Sequence, residues 1–276
     1  MRRIIVVATL LAAMGGAAVA FAAGNFDKFT AKETFKPNAA GSTSKPSPLG
    51  YAEHWTASGN PSGNAAPLTK IVAKAYGLQY NGSHFPTCTA AQINAGGASG
   101  KWDKVCPKGS YIGGGPVEAE VTPPAGGNGS ACDPLLRIFN GGGNTQTFFF
   151  VVAPWSDQWG TVPSNRTCAG AKTGTSCAPY TGTLSHSGKT SIETIKLPGC
   201  ASTDAAGLHL YAALQKLDVT YKKLTAKVGG KTIGYTQSVA CSSGKRPYSF
   251  TFTAQNYQGK SPSMQTTTVS GTQACS

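Results

Sequence analysis

Arg137–Val152 reads RIFNGGGNTQTFFFVV, an apolar run that ends in Asn140-Gly-Gly-Gly-Asn144, with another apolar run starting two residues later. Two strand-like runs around a Gly/Asn cluster form a β-hairpin with a loop of about five residues. Phe148, Phe149, Phe150, Val151 and Val152 are apolar at consecutive positions, the pattern of a strand covered on both faces and so central to the fold. Working outward, strand signals recur at residues 69–76, 116–121, 135–140, 146–153, 216–224, 246–254 and 263–270, with Gly and Pro clusters between them. In the stretch at 246–254, Tyr248, Phe250 and Phe252 share one face and Ser249, Thr251 and Thr253 the other, as in a half-buried antiparallel strand. Helical signals are confined to Thr87–Asn94 and a weak candidate at Asp204–Gln215, which alternation also fits. The expectation is an all-β, mainly antiparallel β-sandwich with at most one or two short helices.

The chain opens with Arg2 and Arg3 before an uncharged apolar run that closes in small residues around Ala18–Ala22. This predicts a signal peptide over residues 1–23, with an uncleaved membrane anchor as the competing reading. The segment 161–179 is the best place to divide the remainder, giving an N-terminal β-sandwich region at 24–165 and a basic C-terminal region at 166–276, the two forming separate domains or parts of one. Residues 39–50 read as a loop. The eight cysteines, Cys88, Cys106, Cys132, Cys168, Cys177, Cys200, Cys241 and Cys275, all lie in the exported part. An even number there implies up to four disulfides and a secreted, extracellular or wall-associated protein. Zinc sites use closer pairs than Cys168 and Cys177, so neither a metal nor a cofactor is expected. Loop economy pairs Cys88 with Cys106, Cys168 with Cys177 and Cys241 with Cys275, which leaves Cys132 with Cys200.

The formal net charge is +13, and it is unevenly placed. From Cys168 onward eleven Lys/Arg stand against Glu193, Asp204 and Asp218 alone. Outside the cell such a field attracts anionic wall polymers or acidic polysaccharide, with a solubilising surface as the plainer alternative and nucleic acid not expected. Lys222, Lys223, Lys227 and Lys231 are the candidate ligand-binding cations. Trp155 and Trp159, flanking Ser156 and Asp157, are a candidate sugar-stacking pair or a plug for the end of the sandwich. Two near-matches to a phosphate loop, at 183–190 and 225–232, lack the first glycine and read as hairpin turns. His54, His84, His186 and His209 carry no triad or metal signature. The reading is a non-catalytic exported binding or structural protein. Its rival is a secreted hydrolase of polysaccharide or ester substrates that would use Glu118, Glu120 or a histidine.

The segment VCPKGSYIGGGP at 105–116 places Cys106, Lys108 and three glycines together. It lacks the order of a phosphate loop and the partner of a C-x-x-C redox site, and reads as a clamp: a tied cysteine, a turn begun by Pro107, and glycines that let the next strand bend. Together with FKPNAAGSTSKPSPLGY (35–51), GLQYNGSHFPTCTAAQIN (77–94) and CDPLLRIFNGGGNTQTFFFVV (132–152), it resembles a group of exported proteins of actinobacteria without an assigned activity. The resemblance covers roughly residues 29–152. It implies export and a β-rich fold, and no functional residues.

Overall fold

A computed structural model describes residues 27–59, 65–98, 102–122, 129–168, 174–175, 177–201, 211–256 and 263–276. The proposed signal segment and His209 lie outside them. The strands are β1 (Lys28–Lys36), β2 (Ser47–Ser58), β3 (Leu68–Tyr76), β4 (Leu78–Tyr80), β5 (Tyr111–Thr122), β6 (Ser130–Cys132), β7 (Leu135–Gly142), β8 (Thr145–Val152), β9 (Ser156–Asp157) and β10 (Gly160–Thr161). They continue with β11 (Gly174–Thr175), β12 (Tyr180–Ser187), β13 (Thr190–Lys196), β14 (Tyr211–Tyr221), β15 (Thr225–Val228), β16 (Lys231–Gly234), β17 (Thr236–Ser238), β18 (Lys245–Asn256) and β19 (Ser263–Ala274). One helix, α1 (Ala90–Ala98), follows the Cys88 segment, with a helical turn at Trp102–Val105. The fold is therefore all-β, antiparallel throughout and tied by four disulfides. Among the described residues no helix is long and apolar enough to cross a membrane.

Alternation of buried and exposed residues forms these strands, as in β1, where Phe29, Ala31, Glu33 and Phe35 point inward and Lys28, Lys32 and Lys36 outward. The long sheet runs β19-β18-β3-β13-β12-β8-β7-β5-β14-β2-β17-β4, with β1 beside β2. It folds over on itself, so the two facing layers of the sandwich are halves of one sheet. Phe29 of β1 stacks on Phe252 of β18 at 4.6 Å, and Trp55 of β2 meets the same ring edge-on at 5.5 Å. An interior cavity of about 30 Å³ remains, room for little more than a water or two. Strands from either side of residue 165 alternate in this sheet: β14 lies between β5 and β2, and β3 lies between β13 and β18.

The two ends of the sheet meet where β1 lies along β19, and side-chain amides supply the missing ladder. Gln265 Oε1 accepts the Asp27 N–H at 3.1 Å while its Nε2 donates to Asp27 O, and Gln273 does the same for the N–H and carbonyl of Phe35. At the other branch, β3 pairs with β18 up to Ala75, turns at Gly77, and continues as β4 against β17. Gly77 has φ +68°, and a Cβ there would sit 2.0 Å from the Ala240 carbonyl oxygen, so both its conformation and its space require glycine. The fork is filled by Arg246, which is fully buried. Its Nε donates to Asn38 Oδ1 (2.9 Å), Nη1 to the carbonyls of Tyr76 (2.6 Å) and Ala240 (3.2 Å), and Nη2 to Ser238 Oγ and Ala39 O.

Several expectations are corrected. The Arg137–Val152 hairpin forms, but its strands run on to Gly142 and restart at Thr145, so the loop shortens to Gly143-Asn144. The buried Asn140 side chain accounts for this end: Nδ2 donates to the carbonyls of Gly82, Phe85 and Pro86, tying the hairpin to the Phe85–Cys88 segment. Only residues up to 46 of the expected 39–50 loop are loop, since β2 begins at Ser47, and 211–215 of the second helix candidate belong to β14. The two phosphate-loop near-matches are hairpin turns, at Gly188-Lys189 and Gly229-Gly230.

Disulfides Cys88–Cys106 and Cys241–Cys275 match the expected pairs, whereas the other four cysteines pair as Cys132–Cys168 and Cys177–Cys200, not as Cys168–Cys177 and Cys132–Cys200. Loop economy failed because strand register decides proximity. The β12–β13 hairpin sets Gly182 opposite Ile195, and continuing that register five residues outward sets Cys177 opposite Cys200. Cys132, ending β6, bridges to Cys168 in the same way.

Peptide mapping of the unreduced protein is expected to return the four linkages 88–106, 132–168, 177–200 and 241–275. Arg246→Met takes the donors from five acceptors, those on Asn38 and Ser238 buried and the carbonyls of Tyr76, Ala240 and Ala39 partly buried, and is expected to lower unfolding free energy by about 3–5 kcal/mol. Urea titration at constant m-value checks it, with exposed Lys245→Ala as a control within about 0.5 kcal/mol.

Candidate functional site

Tyr111 opens β5 directly after the Cys106–Ser110 turn, in which Ser110 N–H and Oγ both bond the Pro107 carbonyl (2.9 and 2.6 Å). Its register partner is Phe139 of β7. Beyond β8 the chain returns as the short ribbon β9–β10, which lays Trp159 on both rings, 5.6 Å from Tyr111 and 5.0 Å from Phe139. The ribbon is pinned from below. Asp157 Oδ1 accepts from Arg137 Nη2 at 3.1 Å and from the Trp159 N–H at 2.8 Å, and Gln158 Nε2 donates to Cys106 O at 2.8 Å. The Arg137–Asp157 pair is almost wholly buried, so its two charges cancel inside the protein and its geometry fixes the ribbon.

Lys222, the first residue after β14, sets its Nζ 4.1 Å from the centroid of the Tyr111 ring, on which the Arg137 guanidinium also sits at 5.5 Å. Cation–π contact stabilises both. Burial, and then repulsion from Arg137 and Lys108, push the Lys222 ammonium below its usual range. Lys108 is exposed at the edge, and its carbonyl receives Trp159 Nε1 at 3.5 Å. Among the described residues neither Lys108 nor Lys222 forms an ion pair. The site is thus a buried Tyr111–Phe139 pair covered by the half-exposed Trp159, with Lys222 and Lys108 exposed at its rim.

Two residues singled out in the sequence, Trp159 and Lys222, are brought together here from positions far apart in the chain. Trp155 is half-buried in the small cluster beneath, with Phe139, Phe149 and Val162. Lys223 is exposed beside Lys222, while Lys227 and Lys231 occupy neighbouring register positions of the β15–β16 ribbon and so opposite faces of it. Sequence reading missed Tyr111 and Arg137, and set Lys108 aside when its segment failed the order of a phosphate loop. The one available signal was the single charge of Arg137 in an otherwise apolar strand.

Glu118 and Glu120 lie half-exposed on the outer face of β5, hydrogen-bonded to Lys216 (3.0 Å) and Gln215 (2.9 Å) of β14. His54 bonds Asp218 on the same outer face, extending a row His54–Asp218–Lys216–Glu118. His84 and His186 are exposed elsewhere. None of these groups lines the Tyr111 corner. Among the described residues no group of three or more His, Cys, Asp or Glu is placed to hold a metal ion.

A second polar assembly is sealed in the core. Glu33 of β1 and Glu53 of β2 are register partners, and Glu193 of β13 reaches across from the facing layer to accept from Tyr221 Oη at 3.4 Å. All three are buried, among Tyr51, Tyr80 and Tyr221, with Arg246 as the nearby cation. Burial pushes the Glu193 carboxyl up to about 7, and burial with mutual repulsion pushes Glu33 and Glu53 well above the carboxylate range.

No family model, curated protein or solved structure matches the chain.

The buried glutamates bind protons in the folded state that they release in the unfolded chain. The stability they contribute is complete below the unfolded carboxyl value near 4.5, and is lost as pH rises through about 7 and beyond. The melting temperature is expected to fall between pH 5 and pH 8.5, and Glu193→Gln to flatten that fall. Calorimetry across this range checks it, and a melting temperature that climbs with pH contradicts it.

Proposed function

We propose that the protein is an exported binding protein of the cell envelope or its surroundings, and that it holds anionic wall polymer or acidic polysaccharide against the Tyr111–Trp159–Lys222 corner. The observation that carries the reading is Lys222 poised over the Tyr111 ring beside Lys108, two cations without an ion pair among the described residues, next to a half-exposed tryptophan. Sugar rings stack on aromatic faces, and acidic substituents meet the lysines. Lys223, exposed beside Lys222, adds to the positive field there. Four disulfides suit an oxidising, extracellular compartment, and the apolar N-terminal run with its small-residue end supplies the export signal. The likeness to exported actinobacterial proteins agrees with the compartment and is part of this proposal.

Retention on isolated anionic wall polymer is expected at low salt and to fall steeply towards about 0.5 M salt, as screening shortens the range of exposed charges. Lys222→Ala with Trp159→Ala is expected to weaken retention at least tenfold without changing the disulfide pattern. Column retention that is absent, or unmoved by salt, overturns the proposal.

A further inference from the structure

The strands β13, β3, β18 and β19 lie side by side, and across them the chain has one acidic residue, Glu193, whose side chain points into the core. Their outer face carries lysine and hydroxyl groups, with Val72 and Ile192 among them. Ser270, Ser249 and Lys74 make one cross-strand row, and Thr268 and Thr251, hydrogen-bonded to each other at 2.9 Å, lie on the next. An open groove of about 510 Å³ lies at the Lys74–Tyr76 end of this face, with Lys74, Tyr76, Thr190, Pro247 and Ser249 in its walls. Tyr76 and Pro247 provide an apolar strip, and the serines and threonines provide donors and acceptors in register.

At the end of this face Lys70 and Lys196 are direct register partners across β3 and β13. Like charges placed opposite each other cost stability, and among the described residues neither lysine has an ion pair. The face across β2, β14 and β5 is different: there Lys216 is neutralised by Glu118 and Asp218. A repulsive lysine pair kept on an acid-free, hydroxyl-rich face is arranged for an anion that also carries hydroxyl groups.

We infer that this face is a second binding surface, and that its occupant is a strand of acidic polysaccharide of the polyuronate kind: a sugar face on Tyr76 and a carboxylate on Lys74 in the groove, further carboxylates on Lys70 and Lys196 at the far end of the face, and ring hydroxyls on the Ser/Thr rows. It shares its ligand class with the corner proposed above and rests on that reading to this extent, but it uses none of the same residues. The two surfaces belong to different parts of the sheet, β3 with β18 and β5 with β7, so one protein bridges two polymer strands.

The test uses the full mature chain and polygalacturonate, by calorimetry at low salt, with neutral dextran and polyphosphate as comparisons. Wild type is expected to bind polygalacturonate at two sites and to crosslink it into larger particles by light scattering. Lys70→Ala with Lys74→Ala is expected to remove one site and the crosslinking, each lysine accounting for roughly a two- to fivefold change in affinity. Lys222→Ala with Trp159→Ala is expected to remove the other site and leave the groove. Lys70→Thr alone relieves the Lys196 repulsion and is expected to raise the melting temperature by about 1–3 °C.

If the groove variant keeps both sites, or wild type has one site that the corner variant abolishes, the groove inference falls and the corner stands. If only the groove variant loses binding, the corner reading falls instead. No binding by wild type overturns both. Equal binding of dextran removes the role of charge, equal binding of polyphosphate removes the role of the hydroxyl rows, and either result overturns the polyuronate assignment. A Lys70→Thr melting temperature that does not rise overturns the repulsion on which the argument turns.

Discussion

The structure depends on one buried guanidinium. Arg246 stands where the sheet forks, with β3 turning at Gly77 to follow β17 while β18 begins alongside, and where the chain after β1 passes overhead. At such a fork the backbone carbonyls of Tyr76, Ala240 and Ala39 accept from the guanidinium, whose five donors in a fixed plane reach acceptors from three chain segments at once. The guanidinium also lies 5.1 Å from the Phe35 ring and brings a positive charge towards Glu33. An ammonium, with three donors on one atom, does not span these acceptors. Closure at the other seam follows the same logic, with the Gln265 and Gln273 amides standing in for a peptide group.

Charge is sorted by this architecture. Glu33, Glu53 and Glu193 are inside, where burial raises their carboxyls above the usual range, and Asp157 is inside in a pair with Arg137. The lysines remain outside. Because several of the carboxyls in the composition are internal, the described outer surface carries fewer acidic groups than the composition conveys. Solubility alone does not require lysines to face each other across strands, and the Lys70–Lys196 pair is the place where this excess costs stability. The internal carboxyls bring acid tolerance: their protonation at low pH removes repulsion from the core instead of creating it.

The strand content, the hairpins and the outward hydroxyl rows were legible in the sequence, because alternation and Gly/Asn turns are local signals. The 148–152 run read as doubly covered, and Phe148, Phe149, Phe150, Val151 and Val152 are all buried. The β12–β13 and β15–β16 turns were read from their glycines. β1 and most of β2 were not, because β1 carries charged and polar residues such as Lys28, Lys32 and Glu33 among its apolar positions, and an inward glutamate reads like an outward one until its neighbours are known. Of the corner, Trp159 and Lys222 were visible as residue types, but Tyr111 was hidden in a segment whose glycines drew the reading towards a turn.

By itself the sequence determined an all-β chain, with cysteines suited to an oxidising compartment and a basic C-terminal half, since these follow from composition and short-range periodicity. Tertiary structure alone decided which cysteines join, because strand register and not chain distance brings Cys177 to Cys200 and Cys132 to Cys168. It alone joined both halves into one sheet and carried Lys222 to Tyr111 and Lys196 to Lys70. Each of these depends on antiparallel pairing between segments far apart in the chain, and pairing of that range is settled by the burial of a shared core.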